Sequence, residues 1–414
     1  MQGFEFFCPT KIVCGAHALD KLPGELESRG VAHPLVMTDA GLVKLGVAAK
    51  LTDVLDAAGV AYEVFDQVPP DSSMDVVNEV ARLYTERGCD GFVAIGGGSV
   101  IDTTKGAAAS LACEGVDFAT LQGSEILKAD LPPLIAVPTT AGTGSEVTLV
   151  AVVADTHKHA KLSFTSYKLV PHAAILDPAL TSSLPPKLTA TTGMDALTHA
   201  VEAYTSIQKN PVSDAFAVKA IELIAENLPV ACREGANVDA RTSLALGSLL
   251  AGAAFSNAMV GIVHALGHSL GGLCHKLVGM ERFGQIKKLA AAGDLNQVDL
   301  TIKDLSKTVA PTLAPNMTAA NFGNLAEDAS PADLAAGAVN LVLQAIGTMT
   351  VLACQGCGSK TVVLTGSMTT LDQVVPNFRF FEQLYGIHYI VPDNATFATA
   401  IGAGLCSLKK KACN

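Results

Sequence analysis

The feature that most constrains this chain is a glycine-rich turn, Gly96-Gly97-Gly98-Ser99, which directly follows the apolar segment Gly91–Ile95. An almost wholly apolar strand is typical of a parallel sheet that helices cover on both faces. Glycines allow a ligand to approach the backbone closely, and a helix that begins near Ser99 would point free N–H groups at that ligand. The turn is not the GxGxxG fingerprint, but it predicts an α/β fold with an anion site at a strand end.

The first 182 residues alternate short apolar segments with helical stretches. Strands are predicted at 35–38, 61–65, 91–95 and 134–137, and helices at 41–58 and 75–87. Such alternation implies right-handed crossovers and a parallel sheet that binds ligands at the carboxyl ends of its strands. We therefore predict a Rossmann-like dinucleotide-binding domain over residues 1–182.

The whole chain has 414 residues, of which 49% are hydrophobic. After residue 182 its residue pattern changes twice. An alanine-rich helical pattern begins at about residue 183, and mixed strand and helix patterns return at about residue 271. The later segments include predicted strands at 361–365 and 388–391 and a predicted helix at 395–408. We therefore predict an all-helical domain at 183–270, which the resemblance described below implies is shortened, and an α/β segment at 271–414.

Composition excludes several classes of function. A formal net charge of −11 disfavours nucleic acid or an anionic membrane surface as the main partner. The chain has no unbroken run of 18 apolar residues, and its first residues do not resemble a secretory signal. The ten cysteines are scattered as in proteins of a reducing compartment, so we expect a cytoplasmic protein. Cys354 and Cys357 have CxxC spacing, but an isolated pair does not indicate a redox or zinc site.

A second polar loop, Pro138–Glu146, follows the next predicted strand and contains Thr139, Thr140 and two glycines. Each loop alone could be a tight turn without a ligand, but two of them at successive strand ends favour a nucleotide. Asp39 ends the first predicted strand and has two interpretations. It is either the N-cap of the following helix or a carboxylate that binds a ribose diol, which would favour NAD over NADP.

Two pairs of potential metal ligands occur in the helical region. Asp195 and His199 are four residues apart, as are His264 and His268, so each pair shares one face of a helix. A carboxylate with imidazoles is a donor set that suits Fe²⁺ or Zn²⁺. Any one of these histidines alone would more simply be a buried structural residue, but the two pairs together favour a metal site.

Taken together, these segments resemble the group III iron-containing alcohol dehydrogenases, and the short-chain alcohol dehydrogenases of ethanolamine or propanediol utilisation are similar. The similarity covers about residues 1–270. It rests on four motifs: Gly96–Asp102, Pro138–Glu146, Gly193–Tyr204 and Gly261–His268. The resemblance implies an NAD- and metal-dependent enzyme that interconverts short primary alcohols and aldehydes, and we expect it to be a homo-oligomer.

The same resemblance implies roles for individual residues. The residues implied to hold NAD are Asp39, Gly97, Gly98, Ser99, Asp102, Thr139, Thr140 and Lys161. The implied ligands of Fe²⁺, or of Zn²⁺, are Asp195, His199 and His264. The implied catalytic residue is His268, which would lie beside the nicotinamide and relay a proton.

The resemblance is incomplete at the metal site. The family supplies a fourth ligand from a Pro-His-Gly motif, ten residues after the position of His268, where this sequence has Val278. His275 lies three residues earlier and could replace that ligand only in a rebuilt loop. We therefore expect weakened metal affinity and an impaired dehydrogenase.

Residues 273–405 are similar to the carboxyl-terminal half of type II pantothenate kinases, of the actin-like kinase superfamily. The matching segments are 272–279, 318–323, 363–367 and 402–404. The phosphate loop and catalytic carboxylate of those kinases belong to an amino-terminal half that has no counterpart here. Two alternatives to a dehydrogenase therefore stand: a pantothenate kinase, which the missing half disfavours, and a fusion that binds a nucleotide without catalysis.

Overall fold

The structure is a computed structural model that falls into two compact units. It describes residues 3–70, 72–113, 120, 123–124, 127, 129–155, 160–261, 264, 283–305, 318–326 and 328–397. The boundary between the units falls at Val263 and His264, and the second unit extends to Leu405. The three-part division at 182/183 and 270/271 stays a prediction.

The first unit is built on a six-stranded sheet in which every pairing is parallel. The strands of this unit are β1 (Lys11–Cys14), β2 (Pro34–Met37), β3 (Glu63–Phe65), β4 (Gly91–Gly96), β5 (Gly123–Ser124), β6 (Leu134–Pro138), β7 (Val150–Asp155), β8 (Ala160–Thr165) and β9 (Ala173–Leu176). The order in the large sheet is β1-β9-β6-β4-β2-β3, and β5, β8 and β7 form a separate small sheet. The predicted parallel α/β fold is confirmed.

Helices cover both faces of the large sheet. Successive side chains of a strand point to opposite faces, and in the central strands nearly all of them are apolar, so both faces need to be buried. The helices are α1 (Leu22–Glu27), α2 (Ala40–Lys44), α3 (Val47–Ala57), α4 (Met74–Arg87) and α5 (Gly98–Ala112). Val36 and Val93 pack with α1 and α3 on one face, whereas Leu35 and Phe92 pack with α4 and α5 on the other. The continuous apolar runs of β2 and β4 therefore have the two-sided burial that the sequence predicts.

Two sequence-based assignments in this unit need correction. The single helix predicted at 41–58 is two helices, because Gly46 between them adopts a left-handed conformation with φ 69° and ends the first. The sequence analysis did not identify β1 and β9, which pair with each other at one side of the sheet. β1 is short and largely exposed, so it lacks the apolar run by which the central strands were recognised.

Three long helices follow the sheet: α6 (Pro186–Thr205), α7 (Pro211–Arg233) and α8 (Val238–Ala258). They pack against one another around a core of small and aliphatic residues. The buried guanidinium of Arg241 on α8 donates to the carbonyls of Gly235 (2.8 Å) and Leu184 (3.2 Å) and to the hydroxyl of Thr189 on α6 (2.8 Å). These bonds fix the start of α8 to the start of α6, and they confirm a helical middle region.

The second unit combines helices with two short strand pairs. Its helices are Phe283–Ala292, Ile302–Leu305, Pro331–Cys357 and Val374–Tyr385. Leu300–Thr301 pairs antiparallel with Thr318–Ala320, and Thr361–Val363 pairs in parallel with His388–Ile390. The latter pair confirms the two predicted strands. Of the helix predicted at 395–408, the described residues are Ala395–Phe397, which form a 3₁₀ turn.

One helix of the second unit, Pro331–Gly356, is long and apolar enough to span a membrane by length and composition alone. The search for an unbroken apolar run did not detect it, because polar residues interrupt the run. About half of its most apolar window is buried within the protein, and Val339 and Leu343 lie in the core of this unit. The helix therefore also fits the central helix of a folded unit, and it is weak support for a membrane span.

A buried carboxylate organises the second unit. Asp299 is fully buried and accepts hydrogen bonds from the Phe322 backbone N–H (2.9 Å), the Asn340 amide (2.7 Å), the Thr318 hydroxyl (3.1 Å) and the Asn321 amide (3.3 Å). Phe322 has a left-handed backbone with φ 54°, which is costly for a residue with a side chain. The bond from its N–H to Asp299 helps to hold this turn against the long helix that carries Asn340.

We expect Asp299→Ala to destabilise the second unit by about 3 kcal/mol, because several buried donors lose their acceptor. Urea unfolding followed by circular dichroism would measure the loss. The matched control is Asp328→Ala, since Asp328 is exposed. Equal unfolding curves for the two variants would contradict the structural role of Asp299.

Candidate functional site

The large sheet has one point at which its strand order reverses. From β2 the chain crosses to β3 on one side, and then returns to β4 on the other side of β2. Open parallel sheets bind their ligands at the carboxyl ends of the strands at such a point. Asp39 follows β2 there, and Gly97 and Gly98 follow β4 and begin α5.

The glycine-rich turn Gly96–Ser99, called the phosphate turn below, and the second polar loop, Pro138–Glu146, lie against each other. A Cβ atom on Gly98 would lie 2.9 Å from Cγ2 of Thr143, and one on Gly97 would lie 3.5 Å from Oγ1 of Thr140. The backbone N–H of Thr139 also donates to the Gly96 carbonyl at 3.0 Å. The two loops that the sequence analysis singled out therefore form one surface, at which the N-terminus of α5 offers backbone N–H groups to an anion.

Within the second loop, two threonines remain accessible. Thr143 is exposed and Thr140 is half-buried, whereas Thr139 is buried, with 2% of its surface exposed. The sequence analysis named Thr139 and Thr140 but missed Thr143. The sequence cannot show which of these three threonines is accessible, because that depends on the side of the loop from which each side chain projects. Thr143 is the additional residue that the structure brings to this surface.

The remaining predicted cofactor residues have their own contacts in the structure. Asp39 caps α2 by accepting from the backbone N–H of Leu42 at 2.9 Å, as one of its two interpretations required. The hydroxyl of Ser99 donates to the Pro70 carbonyl. Asp102 accepts from the backbone N–H of Val152 at 3.0 Å and so joins α5 to β7. Roles for these side chains in binding NAD stay predictions.

Two predicted residues cannot be placed by their side chains. Lys161 lies in β8, where its backbone pairs with Ala154 of β7, but its side chain is outside the described residues. His268 is also outside the described residues, as are His275 and Val278 of the incomplete ligand motif. The proton-relay role of His268 and the consequences of Val278 stay predictions.

A buried lysine joins α5 to the segment that follows the second loop. The ammonium of Lys105 is fully buried and donates to the Thr148 carbonyl (2.8 Å), the Thr148 hydroxyl (3.0 Å) and the Val150 carbonyl (2.9 Å). Burial lowers the pKa of Lys105 to about 8, although the carboxylates of Asp102 and Glu146 oppose that shift. The lysine therefore joins α5, which follows the phosphate turn, to the segment that follows the second polar loop.

Glu146, at the end of the second loop, is also buried, with 3% of its surface exposed. Burial raises the pKa of its carboxyl to about 7, while a backbone hydrogen bond and the Lys105 ammonium act in the opposite direction. Desolvation of a charged group is costly, so the loop carries a carboxyl that is held partly protonated near neutral pH.

The potential metal ligands of the helical region come together. Donor atoms of Asp195, His199 and His264 all lie within 4.8 Å of one another, and Nδ1 of His199 is 3.9 Å from Oδ2 of Asp195. Donors around one ion with bonds of about 2.1 Å are separated by roughly 3–4 Å, so small side-chain movements would complete the site. One carboxylate and two imidazoles fit Fe²⁺ or Zn²⁺ in their chemistry.

The helical packing orients one of these ligands. The imidazole of His199 stacks on the ring of Phe255 from α8, with centroids 4.4 Å apart and planes inclined by 22°. Only 6% of His199 is exposed. A buried ring held between a carboxylate and an aromatic face has few alternative orientations, so the ligand is preorganised. The sequence alone does not indicate that Phe255 contacts His199, because this contact depends on the packing of α8 against α6.

Three protein-family models match parts of the chain. Residues 9–178 match the model of the iron-containing alcohol dehydrogenases, and residues 189–279 match the C-terminal model of the Fe-containing alcohol dehydrogenase family. Residues 258–382 match a further family, Fumble, which is pantothenate kinase-like. The last two matches overlap at 258–279, a range that includes the seam between the two resemblances.

Individual dehydrogenases are also similar to this chain in sequence and in structure. The chain is 43% identical to 1,3-propanediol dehydrogenase of Citrobacter freundii over 272 residues, which are 65% of this chain and 70% of that protein. It is 38% identical to NAD-dependent methanol dehydrogenase of Bacillus methanolicus over 268 residues, 65% of this chain and 70% of the relative. The crystal structure of a 1,3-propanediol oxidoreductase aligns with a TM-score of 0.65 and 31% identity, covering 92% of this chain and all of that chain.

We expect Phe255→Leu to weaken Fe²⁺ affinity by about 3–10-fold, because the His199 ring loses the surface that fixes its orientation. Anaerobic metal titration would measure the dissociation constant. Phe65→Leu is the control, since Phe65 of β3 lies in the apolar core beside the large sheet with Val80, apart from the helical cluster that Phe255 contacts. A Phe255→Leu protein that binds iron as tightly as this control would refute a positioning role for the ring.

We expect Glu146 to make stability depend on pH. Its folded pKa of about 7 is above the ordinary 4.5, so its contribution is complete below pH 4.5 and is lost as pH rises through 7. Relative to Glu146→Gln, the natural chain should lose about 3 kcal/mol of unfolding free energy between pH 4.5 and 7.5. Urea unfolding at several pH values measures this difference. Glu79→Gln, at an exposed position of α4, should show no such slope; a flat difference for Glu146→Gln would show that the carboxyl is not held protonated.

Proposed function

Because the chain belongs to the family of iron-containing alcohol dehydrogenases, we propose that it transfers hydride between NAD(H) and short primary alcohols or aldehydes. The observation that carries the proposal is the donor set of Asp195, His199 and His264 within 4.8 Å. It is supported by a phosphate turn at the switch point of a parallel sheet. Metal dependence and NAD dependence are both part of the proposal.

The residues of the sheet would hold the dinucleotide. The first N–H groups of α5 would hold the pyrophosphate. Because Gly97 and Gly98 have no side chains, Thr140 and Thr143 of the second loop pack directly beside this helix end and could contact the same ligand. Asp39 would accept hydrogen bonds from the ribose diol with the oxygen that Leu42 does not occupy. Its negative charge would disfavour a 2′-phosphate, so NAD is proposed rather than NADP.

The helical residues would hold the metal. Asp195 and His199 share one face of α6, and His264 lies beyond the end of α8. When bound, a divalent cation supplies Lewis acidity that stabilises negative charge on the substrate oxygen. We propose Fe²⁺ as the metal because the chain belongs to an iron-containing family. Zn²⁺ also binds carboxylate and imidazole ligands and is the alternative. The chain's own contribution is to orient the donors, with Phe255 holding the ring of His199.

The Fumble match raises a second candidate, ATP-dependent phosphorylation of pantothenate. The match covers residues 258–382, and the sequence resemblance lacks the half that carries the phosphate loop of those kinases. The alcohol dehydrogenase models match a longer part of the chain. We therefore propose the dehydrogenase activity and treat kinase activity as an outcome of the test.

We expect the full chain, supplied anaerobically with Fe²⁺, to oxidise NADH in the presence of propionaldehyde. Asp195→Ala should weaken iron binding by at least about tenfold and lower turnover by about 100-fold, because the only carboxylate of the donor set is removed. Absorbance at the NADH band and metal titration measure the two effects. The control is Asp239→Ala, at an exposed position near the start of α8.

Equal turnover by Asp195→Ala and the natural chain would exclude the proposed metal site. Absence of NADH oxidation together with ATP-dependent consumption of pantothenate would replace the dehydrogenase proposal with the kinase alternative. Binding of NADH without turnover would instead support a fusion that binds nucleotide without catalysis.

A further inference from the structure

The second polar loop is buried on the side away from the phosphate turn. Gly142, Gly144 and Ser145 have little exposed surface, in contrast to Thr143 between them. Thr143 contacts Gly98 of the phosphate turn. The other side of the loop is therefore covered by protein. Its neighbours are α6, which carries Asp195 and His199, and α8, which carries Phe255.

Gly144 lies directly against the backbone of α8. A Cβ atom placed on Gly144 would lie 2.6 Å from Cα of Gly252 and 3.1 Å from the carbonyl oxygen of Ser248. A Cβ atom on Gly252 would lie 2.9 Å from both Cα and the carbonyl oxygen of Gly144. Gly144 also has a left-handed backbone with φ 65°, which favours glycine. Two backbones thus meet with no side chain between them.

A neighbouring glycine of the loop meets α6. A Cβ atom on Gly142 would lie 3.0 Å from Cβ of Thr192 and 3.2 Å from its carbonyl oxygen. Each contact lies about one helical turn before a residue at or beside the metal site. Thr192 precedes the potential ligand Asp195 by three residues, and Gly252 precedes Phe255, which stacks on His199, by three. Residues three apart on a helix lie on the same side of it. The loop therefore touches both helices on the side that carries the metal site.

We propose that the backbone contact between Gly144 and Gly252 sets the distance between the dinucleotide and the metal centre, so that each site responds to occupation of the other. This inference rests on the proposed function. The loop contacts the phosphate turn through Thr140 and Thr143. Through Gly142 it contacts α6, which carries Asp195 and His199, and through Gly144 it contacts α8, whose Phe255 stacks on His199. The loop thus touches both sides, and its packing has no free space for a methyl group added to Gly144 or Gly252.

The physical reason is geometric. Hydride transfer needs the reacting atoms at about 3–3.5 Å, and a displacement of about 1 Å can lower the rate by roughly 100-fold. A methyl group on Gly252 would push the loop away from α8 while leaving the donor atoms on α6 and the glycines of the phosphate turn chemically intact. Gly144 and Gly252 are therefore positioning residues rather than catalytic ones.

The test compares Gly252→Ala with Gly247→Ala in the full chain loaded with Co²⁺. Both glycines lie within α8, so both changes should raise helix propensity equally. A Cβ atom on Gly247 would instead meet Ile224 of α7, at 2.8 Å from Cγ1, so this variant leaves the loop untouched. The measurements are Co²⁺ affinity, NADH affinity from fluorescence, the change in the visible Co²⁺ spectrum on adding NAD⁺, and the single-turnover rate of hydride transfer.

We expect Gly252→Ala to bind Co²⁺ and NADH each within about threefold of the natural chain. The NAD⁺-induced change in the Co²⁺ spectrum should be lost, and hydride transfer should fall by about 30–100-fold. Gly247→Ala should retain both. If Gly252→Ala does not fold, Gly142→Ala tests the same loop through its contact with Thr192, and the same losses are expected.

Two results would overturn the inference while leaving the proposed function intact. One is a Gly252→Ala protein whose spectral response and rate equal those of Gly247→Ala. The other is loss of NADH or Co²⁺ binding itself, which would mean that the contact maintains one site rather than the spacing of two. Failure of the natural chain to bind either NADH or Co²⁺ would instead reject the proposed function, and the inference with it.

Discussion

The first unit depends on the burial of one loop between a parallel sheet and a helical layer. Pro138–Glu146 is joined to the sheet by the bond from Thr139 to Gly96 and to the helices by the contact of Gly144 with Gly252. A buried loop must satisfy its polar groups within the protein. The Lys105 ammonium donates hydrogen bonds to the buried carbonyl oxygens of Thr148 and Val150, which lie just after the loop. The phosphate turn lies on one side of this segment, and α6 with the ligands Asp195 and His199 lies on the other together with α8.

Several features of this arrangement could be predicted from sequence because they are local. A glycine-rich turn after an apolar strand indicates a ligand site at a strand end, and the i,i+4 pair of Asp195 and His199 indicates two donors on one helix face. Both patterns depend only on neighbouring residues and on helix or strand geometry. The structure confirms the parallel sheet and the helical middle region, and it has a donor atom of His264 within 4.8 Å of the donors of that pair.

Other features could not be predicted, because they join residues far apart in the chain. Gly252 and Phe255 have ordinary helical neighbours in sequence, and only the packing of α8 shows that one touches Gly144 and the other stacks on His199. Thr143 differs from Thr139 only in the side of the loop it occupies. Local patterns therefore identified the chemistry of the site, whereas its support required the three-dimensional contacts.

The central claim is that one carboxylate and two imidazoles hold a single divalent ion beside the dinucleotide crevice. X-ray absorption spectroscopy of the full chain loaded anaerobically with Fe²⁺ tests it most directly. The account predicts scattering from two imidazole nitrogens and at least one oxygen at about 2.0–2.2 Å, with the imidazole signal reduced by half in His199→Ala. A shell made only of water oxygens, or an unchanged imidazole signal in that variant, would contradict it.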